Sequence, residues 1–263
     1  MVVVVTRADK RRGRRQPPSP SPVKEAATEM GIPVTERIDD VLGSGAELAV
    51  VVAFGRLVRP PVLGSLDLVN IHFSLLPRWR GAAPVERALL AGDTVTGVSL
   101  MALEEGLDTG PLYARREVPI GPDETAAHLR GRLAVAGADL LVGTLAVGLG
   151  VPVPQEGEAT YAAKIGPEDL VLRWEEPAER LHRVVRAGRA WTTWRGRRMI
   201  VADACPCAGA LPSVPPGTLV GDRVATGEGS LRLLSVAPEG RKVLGATEWS
   251  RGARPAPGER LGG

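Results

Sequence analysis

The chain has 263 residues, enough for one large domain or two modest ones, and its 44% hydrophobic and 24% charged content is that of a water-soluble globular protein. No run of about 18 apolar residues occurs, which excludes a helical membrane span. Met1 leads through four valines into a charged loop, without the basic start and longer apolar stretch of a secretory signal, so a cytoplasmic protein is expected. The net charge is only +3, and just four of the 33 basic residues are lysine, so total charge identifies no polyanionic partner by itself.

Residues 2–5 form a short, continuous β-branched run, as in a buried strand of a parallel sheet. A basic block follows, with Arg7, Lys10, Arg11, Arg12, Arg14 and Arg15 offset only by Asp9. Such a block is either a solvated loop or a phosphate-docking one. The run Pro17-Pro18-Ser19-Pro20-Ser21-Pro22 excludes helix and central strand. Residues 23–30 read as a helix ending at Gly31, 32–34 as a short strand, 48–54 as a buried strand ended by Gly55, and 66–72 as the next strand. Pro84 suits the first position of a helix running to about Ala91, and 98–103 and 112–120 read as further strands. Asp123 is expected to cap a long helix over 124–149, where Leu129, Leu133, Ala136, Leu140 and Leu145 keep one apolar stripe.

Strands alternating with helices predict an α/β domain with a parallel or mixed sheet over 1–150. The Pro-rich stretch 151–157 opens a linker that ends near Gly166. Residues 167–263 then combine a helix over 177–187 with short apolar runs at 199–202, 217–220, 231–236 and 242–244, separated by Gly and Pro, as in a small β-barrel. The only cysteines, Cys205 and Cys207, have no second pair near them and read as free thiols in a reducing compartment, not as a structural zinc site.

Chemistry concentrates in Asn70-Ile71-His72-Phe73-Ser74-Leu75-Leu76-Pro77-Arg78-Trp79-Arg80-Gly81. Asn70 and His72 are two apart on a strand and face one side, at the carboxyl end where open α/β sheets place their ligands. The turn Leu107-Asp108-Thr109-Gly110, also after a strand, brings a carboxylate within reach. Together the three suit acyl transfer without a covalent nucleophile or a metal. Asn70 and a protonated His72 donate to an oxyanion, and an ionised Asp108 favours the imidazolium or takes a proton. Each residue alone is also an ordinary structural occupant of its place, and an Asp-Thr-Gly turn is commonly just a turn. Spacing alone leaves an α/β domain with a cleft.

The same run, with Leu107-Asp108-Thr109-Gly110, resembles the signature of the folate-dependent formyltransferases, and most closely that of methionyl-tRNA formyltransferases. The resemblance extends to Ala53-Phe54-Gly55, Ser21-Pro22-Val23-Lys24, Gly92-Asp93, Thr96-Gly97-Val98, Thr160-Tyr161-Ala162-Ala163-Lys164-Ile165 and Pro257-Gly258-Glu259-Arg260-Leu261-Gly262, nearly the whole chain. It implies a Rossmann-like catalytic domain followed by an OB-like barrel, Asn70, His72 and Asp108 as the catalytic trio, and Ser74, Leu75, Leu76 and Pro77 on a tetrahydrofolate-contacting loop. It further implies 10-formyltetrahydrofolate as donor, methionyl-initiator tRNA as acceptor and no metal; a monomer is expected. The basic block, with Arg11, Arg12, Arg14 and Arg15, corresponds to a loop that grips the tRNA acceptor end. Of Trp174, Trp191, Trp194 and Trp249 most are expected in the barrel core rather than stacked on bases; Arg195, Arg197 and Arg198 suit either tRNA contact or a solvated hairpin tip.

Two departures stand out. The family opens with a strand, a glycine-containing loop and a helix, roughly thirty residues, before the segment with which this sequence starts, so the strand at 2–5 is expected to carry an unpaired edge. The segment Arg186-Ala187-Gly188-Arg189-Ala190-Trp191 stands where the family has a Pro-containing turn. Two other readings remain: formyl transfer to another amine, such as a nucleotide precursor or an amino sugar, and a tRNA-binding remnant with impaired catalysis. Folate binding separates the second from both enzymes.

Overall fold

The computed structural model describes residues 1–11, 17–56, 58–207, 211 and 213–262. The chain forms two compact units: 1–72 with 99–115 and 139–157, and 73–98 with 116–138 and 158–263.

In the first unit, β1 (Val4–Val5) is followed by the antiparallel pair β2 (Lys10–Arg11) and β3 (Pro18–Ser19), by α1 (Pro22–Glu29), and by β4 (Val34–Thr35), which runs parallel to β1. Helix α1 starts where the Ser21 hydroxyl accepts from the Lys24 N–H at 3.1 Å, with Pro22 in the first turn, and Gly31 ends it at φ +68°. Among the described residues β1 pairs with β4 alone, and the two stay apart from the larger sheet.

That sheet begins with β5 (Leu48–Val52), continues through the short helix α2 (Pro60–Leu63), and places β6 (Asp67–His72) parallel to β5. The sequence predicts a buried strand over 48–54. The structure corrects this: β5 is an edge strand, shorter than expected, and Val50 and Val52 remain 41% and 48% exposed. A β-branched run encodes extension, whereas burial depends on what packs against it.

The strand β7 (Arg80–Gly81) and helix α3 (Pro84–Ala91) come next; Pro84 opens α3, as the sequence predicts, and Gly92 closes it in the left-handed region. β8 (Val95–Ala102) returns antiparallel to β6, and β9 (Leu112–Pro119) completes the order β5-β6-β8-β9, a mixed sheet. Helix α4 (Ala126–Val147) follows. Its amino end is held by Thr125, not Asp123: the Thr125 hydroxyl accepts from the His128 N–H at 3.3 Å, and Asp123 lies 3.7 Å from His182. The predicted stripe is buried at Leu129 and Leu133 but exposed at Leu145. The segment read as a linker is also tied down. Leu112 and Val153 exchange backbone hydrogen bonds of 2.7 and 2.8 Å, and in the second unit β10 (Tyr161–Ala162) pairs parallel with β7.

The rest of the second unit holds α5 (Ala178–Ala187) and an all-antiparallel sheet of β11 (Trp191–Trp194), β12 (Arg197–Cys207), β13 (Leu219–Val220), β14 (Arg223–Ala225), β15 (Ser230–Pro238) and β16 (Leu244–Gly245), closed by α6 (Ala246–Ala253). Trp174, Leu181, Met199, Leu231 and Trp249 lie in its core, and Trp194 packs against that core. Helix α5 buries its apolar face there and also packs on α3; Arg87 of α3 forks onto the Asp169 carboxylate at 2.7 and 3.1 Å. Two ionisable side chains of α5 are buried with that face. Arg186 donates to the Gly121 and Pro122 carbonyls, and burial, with Arg186 adding repulsion, pushes the His182 imidazole below its ordinary range.

Candidate active site

β6 carries Asn70 and His72 at its carboxyl end. Asn70 lies opposite Val51 on β5 and Met101 on β8, and His72 opposite Ser99. Their separation of two puts both side chains on one face, and both are buried. Asp108 comes from the loop between β8 and β9. Its Oδ2 lies 3.6 Å from His72 Nδ1, with the two side chains 8% and 13% exposed. The structure therefore brings the trio predicted from sequence together inside the first unit.

The Asp108 loop is tightly constrained. Asp108 has φ +52°, in the left-handed region that a residue with a Cβ adopts at a cost of about 1–3 kcal/mol. Gly110 sits so close to β8 that an added Cβ would lie 1.8 Å from the Ala102 carbonyl oxygen. The Gln155 Nε2 donates to the carbonyls of Asp108 and Gly110 at 2.9 and 2.8 Å. Gln155 is a residue that sequence reasoning missed. It lies 47 positions from Asp108, inside a stretch with no periodic signal.

Ser74, Leu75, Leu76 and Pro77 follow His72 closely in sequence and belong to the second unit. The Ser74 hydroxyl donates to the Arg78 carbonyl at 2.5 Å, the Leu76–Pro77 peptide is cis, and the side chains of Ser74, Leu76 and Pro77 are buried while Leu75 is half-buried. Gly97 makes room for Leu75, since a Cβ there would meet the Leu75 side chain at 2.5 Å and the Arg116 carbonyl at 2.2 Å. The loop's exit is fastened by Asp93, which accepts two hydrogen bonds from Arg78, at 2.9 and 2.6 Å, and one from Trp79 Nε1 at 2.8 Å. In the sequence Asp93 stands out only as part of a resembling Gly-Asp pair, with no role attached.

The basic block is described only in part. Lys10 and Arg11 lie exposed on β2, whereas Arg12, Arg14 and Arg15 lie outside the described residues. In the second unit, Arg195 pairs with Glu259 at 2.7 Å and stacks on Trp194, Arg197 lies 3.3 Å from Glu239, and Arg198 stacks on Trp191. Of the four tryptophans, Trp174 and Trp249 are core residues, as expected, and Trp191 is half-exposed.

Residues 1–145 match the family described as Formyl transferase, and residues 164–254 match Formyl transferase, C-terminal domain. The chain is 44% identical to the methionyl-tRNA formyltransferase of Thermus thermophilus, over all of this chain and 92% of that one. To the methionyl-tRNA formyltransferase of Acidothermus cellulolyticus it is 41% identical over 99% of this chain and 92% of the other. The chain belongs to the formyl transferase family, with the methionyl-tRNA formyltransferases. It is a formyl-transferring enzyme with a Rossmann-like amino-terminal domain and a carboxy-terminal domain built on a mostly antiparallel sheet. The fold is shared with HypX from Aquifex aeolicus in complex with tetrahydrofolic acid, at TM-score 0.64 and 18% identity over 86% of this chain and 43% of that one. In this formyl transferase, no helix among the described residues is long and apolar enough to cross a membrane.

Proposed function

We propose that the chain transfers the formyl group of 10-formyltetrahydrofolate to the α-amino group of methionyl-initiator tRNA, for translation initiation. The observation that carries this reading is the pairing of buried His72, which shares a strand face with Asn70, with the half-buried Asp108 at 3.6 Å, in a chain whose relatives are methionyl-tRNA formyltransferases. Bound folate supplies a formyl group on an arylamine nitrogen, whose lone pair is shared with the aromatic ring, so that it leaves more readily than an ordinary amide nitrogen. The backbone and the half-buried Leu75 of the 74–77 loop suit a flat, partly apolar ring by their chemistry, with Ser74, Leu76 and Pro77 buried within the second unit.

The roles follow from donor chemistry. The Asn70 carboxamide donates a neutral hydrogen bond to the oxygen on which charge develops as the amine attacks. His72, as imidazolium, donates a charged and stronger one. Asp108 orients the His72 imidazole and receives the proton that the amine sheds, directly or through a water; the intermediate then collapses with cleavage of the bond between the formyl carbon and N10, and that proton passes to N10 as tetrahydrofolate leaves. None of these steps calls for a covalent enzyme intermediate or a metal. Arg11, with Arg12, Arg14 and Arg15, serves the tRNA phosphates. The working division is a catalytic part at 1–150, a connecting segment at 151–166 and a tRNA-binding part at 167–263, in a monomeric cytoplasmic enzyme.

The test is direct. The chain is mixed with 10-formyltetrahydrofolate and methionyl-initiator tRNA, formylmethionyl-tRNA is measured, and His72→Ala serves as control. Product that disappears in the variant is expected. A folded chain that binds folate yet forms no product would overturn the reading.

A further inference from the structure

We infer that Gln155 is a positioning residue for formyl transfer, which holds the loop bearing Asp108 through two hydrogen bonds from one carboxamide. The inference rests on the role proposed above for Asp108. The carbonyls of Asp108 and Gly110 both turn toward the Gln155 Nε2, at 2.9 and 2.8 Å. Two carbonyl oxygens aimed at one point repel each other unless a donor stands between them. An NH2 group supplies the two N–H bonds that the geometry needs, and both hydrogens are used. One of the two hydrogen bonds is made at a residue of left-handed backbone: Asp108 at φ +52° holds its turn with its carbonyl engaged.

Gln155 is itself fixed. Two residues before it, Val153 exchanges backbone hydrogen bonds with Leu112, the first residue of β9. The loop is pinned from below by the Ala102 N–H donating to the Pro111 carbonyl at 2.9 Å, and by the absence of a Cβ at Gly110, which lets the turn lie against β8. The Asp108 carboxylate is thus placed 3.6 Å from His72 by a frame in which the Gln155 side chain grips the loop by two carbonyls. Proton transfer and imidazolium orientation depend on that distance, and a misplacement of about 1 Å at a reacting group costs up to about a hundredfold in rate.

The test uses the full chain with Gln155→Glu and Gln155→Met. Both replacements keep the length of the side chain, and neither donates to two carbonyls at neutral pH. Each variant is expected to lose about ten- to a hundredfold in kcat, with KM for donor and for tRNA within about twofold, and hydrogen exchange of the 104–112 segment is expected to quicken. A merely structural staple would lower the melting temperature and leave kcat alone, or raise KM without touching kcat. A kcat within about twofold of wild type in both variants overturns the inference, as does exchange of 104–112 that stays at the wild-type rate. Asp108→Asn in the same assay separates the two ideas. If that variant keeps full activity, the role of Asp108 falls. If it is inactive while the Gln155 variants are not, only the inference about Gln155 falls. Should the chain transfer no formyl group at all, the exchange rates alone decide whether Gln155 holds the loop.

Discussion

His72 Nδ1 stands 3.6 Å from Asp108 Oδ2, and both side chains are largely withdrawn from solvent. On the roles proposed for them, the two side chains work as one unit. His72→Ala and Asp108→Asn are each expected to lower kcat by about 10²–10³. The double variant should lose little more than the worse single one, because the partners do not contribute independently. Single-turnover rates for the four proteins check this, and fully multiplicative losses would show that the two side chains work separately.

Gly110→Ala should damage both stability and turnover. The new methyl would need space that the Ala102 carbonyl occupies, at 1.8 Å, so the Asp108 loop must lift away from β8. A loss of about 1–3 kcal/mol is expected from such overpacking, read from the urea midpoint, together with a fall in kcat. Unchanged values of both would mean that the loop tolerates displacement.

Asp93→Asn should act on the folate side. It replaces a carboxylate that holds both Arg78 and Trp79 at the exit of the 74–77 loop, and hydrogen bonds to charged groups contribute about 1.5–3 kcal/mol when desolvated. Arg78 is partly exposed, so the loss sits at the low end of that range. The donor KM is expected to rise several-fold while the tRNA KM stays put; an equal rise in both would remove Asp93 from the support of the folate contacts proposed for that loop.

His182 sets part of the acid sensitivity of the second unit. Burial holds its folded-state value below the ordinary 6.5, helped by repulsion from Arg186 and opposed by Asp123, Glu179 and Asp203. The unfolded chain therefore takes up a proton that the folded chain refuses. Stability from neutral His182 is full above about pH 6.5 and is lost as pH falls through the folded value. His182→Gln, neutral at every pH, should flatten the dependence of the urea midpoint on pH just below neutrality by as much as about one proton. Parallel curves for the two proteins would exclude this role.

Arg11→Ala should weaken tRNA use without touching the folate step. Removing one phosphate-neutralising side chain reduces the slope of log KM for tRNA against log salt by about 0.7–0.9. A variant with the wild-type slope would place Arg11 among solvated residues.

The parts of the fold legible in the sequence are those that local chemistry decides. Pro84 and Gly92 delimit α3 because one has no N–H to leave unpaired and the other adopts a left-handed turn. The alternation that puts Asn70 and His72 on one face is a property of any strand. The cap of α4 escapes the sequence because Asp123 and Thr125 are both capping residue types; the helix starts at Ala126, next to Thr125, whose hydroxyl accepts from the His128 N–H. The burial expected for β5 fails for a similar reason, as neighbours and not propensity decide it. Strand β11 is hidden because Trp191-Thr192-Thr193-Trp194 follows a Gly- and Arg-rich segment that obscures its extended character. Gln155 carries no signal, since its partners are distant in sequence and its side chain reads main-chain atoms, which every residue has.

The edge position of β5 has a consequence for handling the protein. Leu48-Ala49-Val50-Val51-Val52-Ala53-Phe54 contains neither charge nor proline, and it offers Val50 and Val52 to solvent beside a backbone edge that no other strand among the described residues pairs. Those are the ingredients of intermolecular strand pairing. Aggregation during refolding should therefore be steeply concentration-dependent and begin at this strand, and a lysine in place of Val50 should raise the recovery of soluble enzyme while leaving His72 and Asp108 as they are.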